Sequence, residues 1–341
     1  MLLELWPTSQ GGSTLVNMRC SFNGTLLMSV LPPVLVTEFL FGVLGNGLAL
    51  WIFCFHTRPW KSSTVLFFNL AMADFLLNMS LLFRAIYYIS DIQWKFGHAL
   101  CNICLFMLAM NRSGSTLFLM AIAVDRYMRV VHPHHPINSL SISKAMCGVL
   151  AMWLLTISLT VHVFNLKHVN TTRCESFTVD TEMDHNLNWH KFEFIFAFYL
   201  PMLVVLYCTF HIIVSLRRRQ LAQQAKIKKA LWFIVLVAVL FLICYLPSNI
   251  AQLLILIQTK QLTSKLPDTE VCSALEDLTV VFFITISLTY LNSVLDPAVY
   301  YFSSPTFKNI CRKVLHLFQT DTAKSTRRNI RETGSQSLSQ L

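Results

Sequence analysis

Charged side chains stand inside several long apolar stretches of this sequence. Asp74 and Asp296 each interrupt one such stretch, and Arg112 interrupts a third. Ionised groups are costly in an apolar environment, so those that occur there usually serve a function. A carboxylate in such a place can bind a cation, and a guanidinium can bind a carboxylate through two parallel hydrogen bonds. What these groups can do therefore depends on the elements that hold them.

The stretches around these residues predict membrane-spanning helices. About 20 helical residues cross the roughly 30 Å hydrocarbon layer of a bilayer. Hydrophobic residues make up 55% of the 341 residues and charged residues only 13%, against roughly 25% charged in soluble domains. We predict an all-α membrane protein, a seven-transmembrane helix bundle over residues 30–302. The predicted helices are 30–55, 63–88, 98–131, 142–164, 190–216, 226–257 and 273–302.

The distribution of basic residues predicts the orientation of the bundle. Most of the 27 Lys and Arg residues fall on alternate connections and near the C-terminus, namely Arg58, Lys61, Arg126, Arg129, Lys144 and those of 217–229 and 308–331. Because basic loops stay cytoplasmic, we expect an extracellular N-terminus over 1–29, an amphipathic membrane-surface helix within 303–318 and a disordered cytoplasmic tail over 319–341. The net charge of +10 then reflects topology at the plasma membrane, not nucleic-acid binding.

Cysteines and glycosylation sequences fit the same orientation. Four of the ten cysteines fall in segments predicted to lie outside, namely Cys20, Cys101, Cys174 and Cys272. In an oxidising compartment they can form two disulfides, with three possible pairings. Asn23 and Asn170 begin glycosylation sequences on that side. Asn78 and Asn111 begin the same pattern inside predicted helices, so we do not expect them to be modified.

Polar residues on three other predicted helices fall at the depth of Asp74. They are Asn46, Ser115, Asn292, Ser293 and Asp296. Two carboxylates with amide and hydroxyl neighbours and no nearby base can hold water and a sodium ion. The alternative is a static polar network that joins the helices. We predict a sodium and water pocket, and no other cofactor.

Another charged group marks the inner end of the third predicted helix. Arg126 stands between Asp125 and Tyr127, so its guanidinium can pair with the neighbouring carboxylate or release it for another partner. A solvated arginine at a helix end is the simpler alternative, but it would not predict the motif at 296–300, at the inner end of the last helix. Proline, which bends a helix and frees a carbonyl, stands inside three helices, at Pro201, Pro247 and Pro297. We therefore expect a bundle that changes conformation.

Taken in order, these motifs resemble the pattern of rhodopsin-like G-protein-coupled receptors. The matching residues are Gly45, Asn46, Asp74, Cys101, Asp125-Arg126-Tyr127, Trp153, Cys174, Pro201, Cys244-Tyr245-Leu246-Pro247 and Asp296-Pro297-Ala298-Val299-Tyr300. The resemblance implies partners in a heterotrimeric G protein and, through the Ser/Thr-rich tail, arrestin. It assigns activation to Asp125, Arg126, Tyr127, Tyr245 (where the family usually has Trp), Pro247, Asp296, Pro297 and Tyr300. It also implies a Cys101–Cys174 disulfide, with Cys20–Cys272 as the second.

The predicted third helix indicates the kind of ligand. It has no acidic residue before Asp125 to bind an amine, and the seventh helix has no lysine to form a retinal Schiff base. Arg112 stands 11 residues after Cys101, about 16 Å down the helix, where a buried guanidinium suits a ligand carboxylate. The alternative is an internal ion pair between Arg112 and Glu38.

Longer stretches resemble the hydroxycarboxylic acid receptors. They are residues 45–56, 108–112, 130–135 and 301–305. The resemblance implies a small carboxylate ligand such as lactate, 3-hydroxybutyrate or a niacin-like acid, and coupling to Gi, which lowers cAMP. It makes Arg112 the carboxylate anchor, with Arg84, Ser176, Phe177 and Tyr290 beside the ligand. Two residues depart from the pattern: Gln252 replaces an arginine expected of the lactate-sensing member, and Leu82 stands where the second helix often has proline.

Other functions are less consistent with the sequence. Residues 56–60 resemble the oxoeicosanoid receptor and 303–307 the hydroxyeicosanoid receptor, so a long-chain oxidised fatty acid is an alternative ligand. A membrane transporter is a remote alternative, because repeat symmetry and paired broken helices are not evident. An enzyme is not expected: the histidines of 132–135 lack the acidic or cysteine partners of a metal site.

Overall fold

The computed structural model describes residues 25–161, 163, 174, 195–218, 225–262, 268–303 and 307–313. Every regular element within these residues is a helix. Seven are long and apolar enough to cross a membrane, which confirms the predicted seven-helix bundle. They are α1 (Thr25–Phe55), α2 (Ser62–Ile89), α3 (Gly97–Val131), α4 (Ile142–Thr160), α5 (Leu200–Arg218), α6 (Ala225–Leu262) and α7 (Asp268–Ser303). A 3-10 helix, Pro136–Ser139, lies between α3 and α4, and a π-helical turn, Ile195–Tyr199, leads into α5.

Several helix ends differ from the predicted spans. The helix α1 begins five residues before the predicted start at 30, α6 ends at Leu262 instead of 257, and α4 ends at Thr160 instead of 164. The length of an apolar stretch predicts only the part of a helix that lies in the hydrocarbon layer. The helix itself can continue beyond it wherever one of its faces still packs against other residues. Leu27, Leu31 and Leu35, at four-residue spacing, are all buried, so the same core covers the early turns of α1. Of the predicted surface helix, residues 307–313 are described and form α8.

The bundle contains two apolar clusters separated by a polar layer. On α2, Leu70 belongs to the cluster toward the Arg126 end, Leu77 belongs to the cluster toward the Cys101 end, and the fully buried Asp74 lies between them. The helices α1 and α2 approach closely here, because a Cβ at Gly42 would overlap the amide of Asn78. This close approach brings amide side chains of both helices to the level of Asp74.

Carbonyl groups freed by proline are bound by side chains of neighbouring helices. Pro201 has no N–H for the carbonyl of Ala197, and Thr116 of α3 donates its hydroxyl hydrogen to that oxygen instead. Pro297 likewise frees the carbonyl of Ser293, which accepts a hydrogen bond from Asn46 Nδ2 of α1 at 2.8 Å. An unsatisfied backbone group in hydrocarbon costs several kcal/mol. These contacts therefore stabilise the bundle as well as the bent helices.

The Thr116 contact predicts a stability loss on an isosteric change. Thr116→Val keeps the shape and removes the hydroxyl, which leaves the buried Ala197 carbonyl unsatisfied at a cost of about 1–3 kcal/mol. We expect a lower thermal unfolding temperature for the purified protein. Thr285→Val is the matched control, because its exposed hydroxyl binds a carbonyl of its own helix. Equal unfolding temperatures for the two variants would contradict a stabilising role for the Thr116 hydrogen bond.

Candidate functional site

Asp74 is the centre of a buried polar cluster. Its Oδ1 accepts hydrogen bonds from Asn111 Nδ2 at 2.9 Å and Ser115 Oγ at 3.2 Å. Its Oδ2 accepts one from the hydroxyl of Tyr300 at 3.4 Å. Asp296 is buried in the same layer, and its carboxyl group is a neighbour of that of Asp74. Because two adjacent carboxylates cannot both stay ionised without compensation, this pair requires a proton or a cation.

The cluster continues through amide side chains into α1 and α7. Asn78 Nδ2 donates to Ser293 Oγ at 3.0 Å, and Asn292 Nδ2 donates to Asp296 Oδ2 at 3.1 Å. The structure thus places the six predicted pocket residues in one polar layer and adds Asn78 and Asn111 to them. The buried amide oxygens of Asn46 and Asn78 have no hydrogen-bond partner among the described residues. Carboxylate, hydroxyl and free amide oxygens are ligands that suit a hard cation.

Near the C-terminal end of α3, the Arg126 side chain pairs only loosely with the carboxylate of Asp125. Its Nη2 lies 3.6 Å from Asp125 Oδ2, while Arg129 Nε donates to both oxygens of the same carboxylate at 3.0 Å. The Arg126 guanidinium lies over the ring of Phe67 at 5.6 Å, and its buried Nε has no hydrogen-bond partner in the described part of the chain. Arg129, which the motif does not include, is therefore the main partner of Asp125.

A third group of contacts joins α3 to α6. Arg112 donates from Nη2 to Asn249 Oδ1 at 2.9 Å and from Nη1 to Gln252 Oε1 at 3.1 Å. Both partners are neutral amides one turn apart on α6. The guanidinium therefore bridges two helices through oxygen atoms that carry no formal charge.

Beside Arg112 lies a small cavity with free hydrogen-bond donors. Its volume is about 20 Å³, and its lining includes Arg112, Ser113, Thr116 and Tyr245. The hydroxyl groups of Ser113 and Tyr245 are buried and have no hydrogen-bond partner among the residues described. Space of this size holds about one water molecule. The cavity is thus small and rich in donors.

The other predicted ligand residues lie elsewhere or outside the described chain. Arg84 donates to the carbonyl of Cys174 and to the hydroxyl of Tyr88 at 3.2 Å, and Cys174 is joined to Cys101 by a disulfide of 2.04 Å. Tyr290 is buried in the apolar cluster toward the Cys101 end. The cavity lining beside Arg112 includes neither Arg84 nor Tyr290. Other predictions concern residues outside the described part of the chain, namely Cys20, Asn23, Asn170, Ser176, Phe177 and the side chain of Cys272.

The internal ion pair considered from the sequence is not formed. Glu38 is buried on α1, and its Oε2 accepts no hydrogen bond from the described residues. Within this part of the chain the structure shows no ion pair between Glu38 and Arg112, whose side chain binds α6 instead. Sequence reasoning did not assign Asn249 a role. The i, i+3 spacing of Asn249 and Gln252 after Pro247 puts the two amides on one helix face, but the partner on α3 could not be read from it.

Comparison with known proteins agrees with this arrangement. Residues 45–300 match the 7 transmembrane receptor (rhodopsin family). Human hydroxycarboxylic acid receptor 2 is 48% identical over 296 residues, which are 85% of this chain and 78% of that receptor. Human hydroxycarboxylic acid receptor 1 is 45% identical over 86% of this chain and 83% of that receptor. Human oxoeicosanoid receptor 1 is 37% identical over 86% of this chain and 74% of that receptor.

These similarities establish the family and its general properties. Rhodopsin-family receptors are multi-pass membrane proteins that act through G proteins, and the family is not enzymatic. The chain therefore belongs to the rhodopsin family of seven-transmembrane receptors, together with the hydroxycarboxylic acid and oxoeicosanoid receptors.

Proposed function

We propose that this receptor is activated by a small carboxylate that binds Arg112. The observation that carries the proposal is the donor-rich cavity: a guanidinium, two partnerless hydroxyl groups and two side-chain amides meet in one place. A carboxylate offers only acceptor oxygens, so it satisfies these donors at once. Its charge also complements the guanidinium, which neutral amide oxygens do only in part.

Ligand chemistry and signalling follow from the same group of relatives. Two relatives are named as receptors for hydroxycarboxylic acids, and we propose lactate, 3-hydroxybutyrate or a niacin-like acid as the ligand, with coupling to Gi. The receptor acts at the plasma membrane with its N-terminus extracellular, and arrestin binds its tail. A screen of these acids beside oxidised fatty acids for cAMP suppression decides between the two ligand classes.

Activation follows from the contacts that the ligand replaces. Arg112 now links α3 to α6 through Asn249 and Gln252. A carboxylate that takes over the guanidinium releases these amides, so that α6 can move away from α3. A ligand that binds more tightly to the conformation with α6 moved away shifts the population toward that conformation. At the inner end of α3, the same movement exposes Arg126 to the G protein.

Replacing Arg112 tests the carboxylate anchor. Truncating one partner of a buried charge pair costs about 2–5 kcal/mol, so Arg112→Gln should lower the potency of an acidic agonist roughly thirty- to several-thousand-fold. Arg112→Lys should restore only part of it, because an ammonium group lacks the two-pronged geometry. The measurement is cAMP suppression against agonist concentration at matched surface expression.

Glu38 supplies the control for this test. If Arg112 mainly neutralised Glu38, Arg112→Gln would lower surface expression, and the double variant Arg112→Gln, Glu38→Gln would restore it. We expect no such rescue, because the two side chains are not paired. An unchanged potency in a well-expressed Arg112→Gln receptor would end the carboxylate proposal.

Arg126 is expected to act in coupling and not in ligand binding. It lies at the inner end of α3, while the cavity beside Arg112 lies more than three turns away along the same helix. Arg126→Ala should abolish agonist-stimulated nucleotide exchange on Gi and leave surface expression and agonist affinity largely intact. Arg129→Ala is the comparison, because it removes a neighbouring cation whose side chain holds Asp125. Full nucleotide exchange by Arg126→Ala would refute the coupling role.

We further propose that the layer around Asp74 holds a sodium ion and water. The carboxylates of Asp74 and Asp296, the hydroxyl of Ser115 and the free amide oxygen of Asn46 would supply the ligands. A cation that binds only the folded receptor raises its stability. We expect a higher thermal unfolding temperature in sodium chloride than in an equal concentration of N-methylglucamine chloride, and no difference in Asp74→Asn. The same unfolding temperature for the unaltered receptor in both salts would contradict the site.

A further inference from the structure

A groove lies at the end of the bundle that carries Arg126. It has a volume of about 400 Å³ and is formed by the start of α2, the 3-10 helix Pro136–Ser139 and the start of α4. Its lining includes Trp60, Lys61, Arg129 and the hydroxyl-bearing Ser141. Nothing in the proposed activation mechanism uses this groove.

The segments that form the groove carry a strong excess of positive charge. Residues 56–63 and 126–144 contain five Lys and Arg residues and no Asp or Glu. Asp125, which directly precedes the second of these segments, accepts hydrogen bonds from Arg129 and Ser63. The groove therefore attracts an anion, and this neighbouring carboxylate is already bound.

Two cations in the lining retain hydrogen-bond donors. The hydrogen bonds of Arg129 to Asp125 and Ser62 use Nε and Nη2, which leaves the two hydrogens of Nη1 for another acceptor. Lys61 is exposed, and the structure shows no ion pair to its side chain from the described residues. A guanidinium and an ammonium group with hydroxyl neighbours suit the several oxygens of a phosphate group.

The walls of the groove are held in place before any ligand binds. Trp60 Nε1 donates to the carbonyl of Phe53 at 3.1 Å, and its ring packs against Phe68 at 5.1 Å. Asn138 donates to three backbone carbonyls of the preceding turn and helix end. Ser141 caps α4 by accepting a hydrogen bond from the backbone N–H of Lys144. A binding site with preformed walls loses less entropy when it is filled.

An apolar stripe leads from the groove along α4. Ile142, which lines the groove, is followed at four-residue spacing by Met146, Leu150 and Leu154. These four side chains are 44%, 49%, 59% and 60% exposed, so one continuous helix face is available to an acyl chain. A polar cavity that continues into an exposed apolar stripe matches the two parts of a phospholipid.

We propose that this groove binds an anionic phospholipid of the cytoplasmic leaflet whose headgroup carries additional phosphate groups, as phosphoinositides do. Basic pockets on the cytoplasmic side of membrane helices bind such headgroups, and each Lys or Arg near the surface contributes about 1 kcal/mol. Lys61 and Arg129 bind the headgroup phosphates, and the acyl chains follow the Ile142–Leu154 stripe. The cytoplasmic placement rests on the orientation proposed above, but the binding itself does not depend on the agonist.

Native mass spectrometry of the purified full-length receptor with phosphatidylinositol 4,5-bisphosphate tests this proposal. Lys61→Gln should weaken binding about fivefold, because it removes one charge contact worth about 1 kcal/mol, whereas Lys61→Arg should retain it. Lys313→Gln is the matched control, since it removes one exposed charge from α8 outside the groove. Soluble inositol 1,4,5-trisphosphate, which has the phosphates without acyl chains, should bind much more weakly than the lipid.

Three results would overturn the proposal. Equal losses in Lys61→Gln and Lys313→Gln would show nonspecific attraction to a basic surface. Equal affinity for the soluble headgroup would exclude the acyl-chain path, and equal affinity for phosphatidylserine would exclude the phosphorylated headgroup. Agonist-stimulated nucleotide exchange in phosphatidylcholine nanodiscs, measured separately, reports on the carboxylate site and so distinguishes a failure of one proposal from a failure of the other.

Discussion

A backbone carbonyl that proline frees inside this bundle needs another hydrogen-bond donor, because lipid offers none. The carbonyls freed by Pro201 and Pro297 show how this constraint organises the fold: Thr116 binds the first and Asn46 binds the second. Each contact joins the bent helix to a different neighbour. The bends in α5 and α7 are therefore fixed by hydrogen bonds between helices, and any movement of these helices has to break or exchange such bonds.

Consecutive residues of α3 connect the two polar sites of the receptor. Asn111 donates to Asp74 in the central layer, and Arg112 donates to the amides of α6. One helix turn further on, Ser115 binds Asp74 and Thr116 binds α5. A small rotation or shift of α3 would thus change its contacts to α2, to α6 and to the π-helical turn before α5. Packed polar networks with alternative partners are a physical basis for coupling between sites.

Much of the fold could be predicted from the sequence because it depends on local properties. Apolar length located all seven helices, and the identity of Asp74 and its neighbours indicated a polar layer. Contacts that depend on the rotation of one helix against another could not be predicted. The sequence predicted Arg84 as a ligand contact but did not indicate its hydrogen bond to the carbonyl of Cys174, and Asn249 was not assigned a role although it binds Arg112. Asn78, one turn after Asp74, could have been found from its spacing alone.

Arg84, Arg112 and Arg126 differ in the kind of hydrogen-bond or ion-pair partner that each side chain binds. Arg84 binds a backbone carbonyl beside a disulfide. This partner cannot leave without moving the chain, so the contact holds α2 against the residue linked to α3. Arg112 binds two neutral side-chain amides, which a carboxylate can displace because its charge binds a guanidinium more strongly. Arg126 has a 3.6 Å ion pair to a carboxylate that Arg129 holds more closely. The partners of Arg112 and Arg126 are side chains, which can be exchanged without moving the backbone, as the proposed ligand binding and G-protein coupling require.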